Sequence, residues 1–145
     1  MSNQPFIHRF RVRYSEVDPQ GIVFNSRHLE YADMLLTEFW RALGMAFSGV
    51  HAIELHVVKA TVEYLRPIGL DEVIEGRARV ARIGTSSVTT RFELHGDAEG
   101  AIDDLRARIE LVHVHVDLAT GRSMPLSEDA RARLLAPLPL RAPLA

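Results

Sequence analysis

One stretch of this chain repeats its apolar residues at helical spacing, and most of the rest alternates at a period of two. Leu29, Ala32, Leu36, Phe39 and Leu43 recur at three- and four-residue steps, and Leu35 and Trp40 widen the stripe. Glu30, Asp33, Thr37, Glu38 and Arg41 fall mostly on the other face. This predicts one long amphipathic helix, capped by Asn25 or Ser26 and stopped near Gly44.

Residues 6–14 place Phe6, His8, Phe10, Val12 and Tyr14 on one face of a strand and Ile7, Arg9, Arg11 and Arg13 on the other. After the helix, Val58, Ala60, Val62 and Tyr64 share a face, with Lys59, Thr61 and Glu63 opposite. Ile74, Gly76, Ala78 and Val80 mark a further strand, and Val88, Thr90, Phe92 and Leu94 another. Residues 104–117 form the last. Ser127 can cap a short terminal helix. The order is strand, helix, four strands, which predicts an α+β layer arrangement with the helix against a mostly antiparallel sheet. No internal repeat or linker breaks the pattern. We expect a single domain over 1–136 and a mobile Pro-rich tail over 137–145.

A chain of 145 residues can bury a real core. A formal net charge of −2 gives no field that favours nucleic acid or an anionic membrane. There is no cysteine, so disulfides, thiolate catalysis and Cys-based zinc sites are excluded, which fits a reducing, cytoplasmic compartment. No stretch reads as a signal peptide or a membrane span.

Between the first strand and the helix lies Asp18-Pro19-Gln20-Gly21. Asp first, Pro second and Gly fourth favour a tight turn. Asp18 sits seven residues before Asn25, so the turn can fold its carboxylate back over the helix start. Unpaired N–H groups and the helix dipole there favour developing negative charge. From the turn alone, a structural Asp that bonds backbone N–H groups remains the competing reading.

The segment Tyr14-Ser15-Glu16-Val17-Asp18-Pro19-Gln20-Gly21-Ile22-Val23-Phe24-Asn25 resembles the 4-hydroxybenzoyl-CoA thioesterase family of hotdog-fold proteins. Later landmarks fall in the family's order: Leu65-Arg66-Pro67 with Asp71-Glu72-Val73, then Arg82-Ile83-Gly84-Thr85-Ser86-Ser87, then Val116-Asp117 with Thr120-Gly121 and Pro125. The resemblance implies a helix wrapped by a curved five-stranded sheet, and a homo-oligomer, a dimer or a dimer of dimers (homotetramer), with clefts between subunits. It implies hydrolysis of an acyl-CoA thioester. Asp18 would act as nucleophile or general base, with the backbone N–H groups of Phe24 and Asn25 as oxyanion donors. Gly21, His28, Arg82, Thr85 and Ser86 would contact substrate. No metal or organic cofactor is implied. The chain departs from many relatives at Asn25, where they carry His or Tyr, and at Arg27-His28, where they often have Asn-Tyr. Glu16, two residues back, reads as a solvated carboxylate.

Other constellations read more weakly. His51, Glu54 and His56 lack the spacing of a helical zinc pair. His113, His115 and Asp117 share a strand face, an arrangement that metals can use but that more often lines a surface. Arg77, Arg79, Arg82 and Arg91 sit on or beside adjacent strands, and Arg82 is the one assigned to coenzyme A phosphates. Phe24, Phe39, Trp40 and Phe47 are candidates for an aromatic pocket, although helical spacing favours core for Phe39 and Trp40. Hotdog hydratases pair their Asp with a nearby His. Here Val23 stands five residues after Asp18 and His28 lies inside the helix, which argues against hydration. A non-enzymatic acyl-binding module, or a thioesterase for carrier-protein-bound acyl chains, are the remaining alternatives.

Overall fold

The computed structural model describes residues 4–46, 48–49, 52–97 and 103–138. The expected Pro-rich tail lies almost wholly outside them. Strand β1 (Phe6–Arg11) leads through a 3-10 turn (Tyr14–Glu16) to helix α1 (Arg27–Ala42). Then follow β2 (Leu55–Tyr64), β3 (Val73–Ile83), β4 (Ser87–Gly96), β5 (Leu105–His115) and a short helix α2 (Glu128–Leu135). The five strands form one antiparallel sheet in the order β1-β3-β4-β5-β2. The strand–helix–four-strand order and the α+β class match the expectation, as does the hotdog arrangement of a long helix against a five-stranded sheet.

Helix α1 carries the chain from one sheet edge to the other, because β1 and β2 are the two outer strands. It buries Tyr31, Ala32, Leu35, Leu36, Phe39 and Trp40 against the inward faces of β3, β4 and β5, where Ile74, Ala78, Val88, Phe92, Leu94, Ile109 and Leu111 are also buried. The glycine at position 76 has a packing reason. A Cβ there would collide with the Leu35 side chain, so the missing side chain lets the helix lie close to β3. Phe39 packs on Phe6 with ring centroids 5.5 Å apart, and Trp40 meets His113 edge-on at 5.6 Å. Both helix aromatics are therefore core.

The helix stops as expected. Gly44 adopts φ +74, and Met45 N–H bonds the Trp40 carbonyl at 3.0 Å, the closing bond of a Schellman ending. Ser127 caps α2, its Oγ accepting from Ala130 N–H at 3.1 Å. The start of α1 differs from expectation, since neither Asn25 nor Ser26 caps it through a side chain. Ser26 occupies the cap position with φ −69 and ψ −20, already helical, and makes no side-chain cap bond. A cap side chain reaches the N–H groups one turn on from extended backbone, and that geometry is absent here.

Candidate active site

The Asp18 loop is built from backbone bonds. Gly21 N–H donates to the Asp18 carbonyl at 2.9 Å and Asp18 N–H to the Ile22 carbonyl at 2.8 Å, closing the expected turn. Gly21 sits at φ +77, a region where a glycine costs nothing sterically. The Asp18 side chain adds to the turn: Oδ1 accepts from Gln20 N–H at 2.8 Å and Ile22 N–H at 3.2 Å. Oδ2 accepts no hydrogen bond among the described residues. One carboxylate oxygen thus holds the side chain in the turn.

The loop is stitched to the segment between β2 and β3. Val23 N–H reaches the Ile68 carbonyl at 2.8 Å, and Leu70 N–H reaches the Gly21 carbonyl at 2.9 Å. Glu72 in turn accepts from Gly69 N–H at 2.6 Å while pairing with Arg106, so a charge-assisted network stands behind this anchor.

Of the two expected oxyanion donors, the structure leaves one. Phe24 N–H donates to the Glu16 carbonyl at 2.9 Å. This corrects the expectation for Phe24, because the bond that pins the loop to the strand end consumes its N–H. Asn25 N–H has no partner among the described residues. The Phe24 carbonyl accepts from Arg27 N–H at 2.9 Å and therefore points into the helix. In a planar trans peptide the attached Asn25 N–H points the opposite way, out of the helix start.

The Asn25 carbonyl is held as well. Tyr64, from β2, donates its hydroxyl to it at 2.8 Å, and His28 Nδ1 lies 3.2 Å away. The His28 ring meets the Tyr64 ring edge-on at 4.7 Å. His28 is buried, and burial lowers its basicity below the ordinary histidine value, which favours the neutral ring. Expected as a substrate contact, His28 instead buttresses the peptide that follows Asn25.

Glu16 departs most from expectation. The residue is buried at 5% exposure, and its side chain accepts from Arg13 N–H at 2.7 Å, the Arg13 guanidinium at 3.0 Å and the Tyr31 hydroxyl at 3.1 Å. Burial pushes its carboxyl up, but these donors outweigh that and hold it below the usual carboxylate range. The alternation of β1 does not reach Glu16: the strand ends at Arg11, and Tyr14, expected on the apolar face, is exposed. Tyr64, at the end of the apolar face of β2, was legible in the alternation of that strand.

Arg82, Thr85 and Ser86 lie elsewhere. Arg82 lies near the end of β3, and Thr85 and Ser86 occupy the β3–β4 turn, where the Thr85 carbonyl takes Leu126 N–H at 2.9 Å and Arg131 at 2.9 Å. The Asp18 loop sits beside Gly69, before the start of β3. An eleven-residue strand separates the two ends by roughly 33 Å at ~3.3 Å per residue. One chain does not bring these residues together.

The metal alternatives find no support among the described residues, where no group of three His, Asp or Glu side chains converges. His113 points inward to Trp40. His115 Nδ1 lies 3.0 Å from the Pro125 carbonyl, and Asp117 accepts from Ala119 N–H at 2.9 Å. Glu54 and His56 lie 3.6 Å apart; His51 and Phe47 are outside the described residues. Phe24 is the exposed aromatic of the loop.

Comparison with known proteins bears on the family and the fold. The model of the thioesterase-like superfamily matches residues 12–134. A curated Aquifex aeolicus (strain VF5) protein named "Putative esterase" is 40% identical over 90 residues, 61% of this chain and 70% of that protein. A hypothetical protein of Aquifex aeolicus with a crystal structure superimposes with a TM-score of 0.80 at 26% identity, over 90% of this chain and 99% of that one. A 1,4-dihydroxy-2-naphthoyl-CoA thioesterase from Synechocystis does so with 0.80 at 16% identity, over 90% and 95%, a likeness of fold. The chain belongs to the thioesterase-like superfamily, as its Asp18 segment and its hotdog fold imply.

Proposed function

We propose that the chain is an acyl-CoA thioesterase acting on small or medium acyl groups, aromatic ones included, with Asp18 as its catalytic carboxylate. The observation that carries this reading is that Asp18 Oδ2 and Asn25 N–H, on one hydrogen-bonded loop, are both without a partner among the described residues. The carbonyl oxygen of the thioester accepts from Asn25 N–H, and negative charge that builds there is stabilised by this donor and by the start of α1. As general base, Asp18 takes a proton from water, the hydroxide oxygen bonds the carbonyl carbon, and the C–S bond breaks. The thiolate leaves and takes up the proton. As nucleophile, Asp18 would instead form an acyl anhydride that water then cleaves. A thiolate is a good leaving group, so one carboxylate and one oxyanion donor suffice.

The substrate cleft in this proposal lies between copies of a cytoplasmic homo-oligomer. Two observations support it. Thr85 and Ser86 could approach Asp18 from a second chain but not from their own. The outer strand β2 leaves Val57 and Val58 more than half exposed along an unpaired edge, a surface that proteins usually cover. Arg82 is exposed near the end of β3, beside the turn that holds Thr85, where it could bind a coenzyme A phosphate.

The test is thiol release from a panel of aromatic, short-chain and long-chain acyl-CoA esters by the wild type and by Asp18→Asn. A fall of about a hundredfold or more with acyl-CoA binding retained is expected for loss of an acid–base group. Because Oδ1 already serves the turn, the competing reading is an acyl-binding module in which Asp18 is structural. Binding without turnover by the wild type would establish that reading instead.

A further inference from the structure

Two consecutive peptides at the start of α1 are turned the same way. The Phe24 carbonyl accepts from Arg27 N–H at 2.9 Å, and the Asn25 carbonyl accepts from His28 N–H at 3.4 Å. Both carbonyls therefore point along the helix, and the N–H on each trans peptide points back out of its start. Those N–H groups belong to Asn25 and Ser26. Neither has a partner among the described residues, and both residues are exposed. We propose that Ser26 N–H is a second donor to the thioester oxygen, and that Tyr64 is the positioning residue that holds the peptide carrying it.

The helix alone holds the Asn25–Ser26 peptide weakly, because a bond of 3.4 Å is longer than an ordinary N–H···O contact. Two side chains make up for it. Tyr64 donates its hydroxyl to the Asn25 carbonyl from the end of β2 at 2.8 Å, and His28 Nδ1 lies 3.2 Å from the same oxygen. A carbonyl can only accept, so the neutral His28 ring carries its proton on Nδ1. Tyr64 is more than half exposed, and its ring is set by the edge-on contact with His28 at 4.7 Å. A donor on a carbonyl polarises the whole peptide and makes the N–H at its other end a stronger donor. Here that N–H belongs to Ser26.

This inference rests on the thioesterase reading, in which an oxygen nucleophile bonds the carbonyl carbon and the carbonyl π pair moves onto oxygen. That oxygen gains a lone pair and a full charge, so it accepts from two donors better than the ground-state carbonyl does. Asn25 N–H and Ser26 N–H, adjacent and pointing the same way, match that need. Donors whose bonds strengthen as charge develops lower the barrier more than they tighten substrate binding. Loss of the Tyr64 hydroxyl should therefore appear in kcat and leave KM nearly unchanged. A residue that only braced the fold would not distinguish a substrate whose carbonyl accepts hydrogen bonds well from one that accepts them badly.

The test compares the wild type, Tyr64→Phe and Asp18→Asn on the acyl-CoA ester that the wild type hydrolyses fastest and on its dithio analogue, in which sulfur replaces the carbonyl oxygen. The phenylalanine ring keeps the contact with His28. Tyr64→Phe should lower kcat for the ester about tenfold, the scale of one lost hydrogen bond. KM should stay within about twofold, as for an interaction made only in the transition state. With the dithioester, whose sulfur is a poor acceptor, kcat should hardly change. The Ser26 amide nitrogen should also move upfield by NMR in Tyr64→Phe, and by more than that of Asn25, with no substrate present. The inference is overturned, and the thioesterase reading kept, if Asp18→Asn is inactive while folded Tyr64→Phe shows any of four results: wild-type rates, a change carried by KM, an equal fall with both substrates, or an unmoved Ser26 amide. A wild type that hydrolyses no ester of the panel overturns both.

Discussion

Tyr31 donates its hydroxyl hydrogen to the Glu16 carboxylate at 3.1 Å and so ties the base of the Asp18 loop to the first turns of α1. Glu16 holds the other end of that loop with its carbonyl, through Phe24 N–H. One residue thereby couples strand end, loop and helix. Burial raises the Tyr31 phenol well above its ordinary value, and the facing carboxylate adds to that, so the phenol keeps its proton at any working pH. Tyr31→Phe leaves a buried carboxylate short of one donor and should cost about 1–3 kcal/mol in urea unfolding. Glu16→Gln should cost a similar amount and also change the acid limb of stability. The Glu16 carboxyl titrates lower in the folded chain than the ordinary 4.5. Its contribution is therefore full above 4.5 and disappears as pH falls through the folded value. Glu16→Gln should flatten that limb, and an unchanged acid limb would show that Glu16 is not the group responsible.

Much of this arrangement was legible in the sequence, and the exceptions share a cause. The period of Leu29 to Leu43 located α1, the alternations located the strands, and Gly44 and Ser127 marked helix ends. Periodicity reports which face a residue lies on. It does not report which strands are neighbours, so the position of β2 at the far edge from β1 could not be read from it. The burial of Glu16 was missed because a charged residue beside a turn ordinarily faces water. Its burial depends on Arg13 and Tyr31, and Tyr31 lies fifteen residues away. The Phe24 N–H was misassigned for a similar reason: its acceptor, the Glu16 carbonyl, is set by how the loop closes and not by the local pattern. Arg82, Thr85 and Ser86 match the family segment, yet strand length places them far from Asp18 in a single chain.

Two histidines should shape the stability curve near neutrality. Burial holds both His28 and His113 below the ordinary value of 6.5, with Asp33 working slightly the other way at His113. Each is favoured neutral in the folded chain, so the unfolded chain binds more protons as pH falls below 6.5. Stability from these groups is full above 6.5 and is lost as pH drops through the lower folded values. His28→Gln should shrink the loss of stability as pH falls below 6.5, measured by thermal melts at several pH values. Replacing His28 without changing that slope would assign the effect to His113.

Gly76→Ala tests the contact between α1 and β3. The added methyl would collide with the Leu35 side chain, which is fully buried and has little room to move. Overpacking of this kind should cost about 1–3 kcal/mol, read as a lower urea midpoint at unchanged slope. Pairing it with Leu35→Ala should recover part of the loss, because the cavity left by the smaller helix residue accepts the new methyl. Additive losses in the double variant would mean that the two side chains do not meet.

Gly21→Ala separates backbone strain from crowding at the proposed catalytic loop. A Cβ at this position meets nothing within 4 Å, but the residue sits at φ +77. The cost is therefore conformational, about 1–2 kcal/mol for a left-handed alanine, or about 3–8 °C in Tm for a domain of this size. Activity should suffer more than stability. Relaxing φ at residue 21 pulls its N–H away from the Asp18 carbonyl, and with it the Ile22 N–H that holds Asp18 Oδ1. Gly21→Asn should be milder on both counts, since asparagine tolerates this backbone region better than alanine does. Equal damage from the two substitutions would show that the side chain at position 21, and not the backbone angle, is what the loop cannot accept.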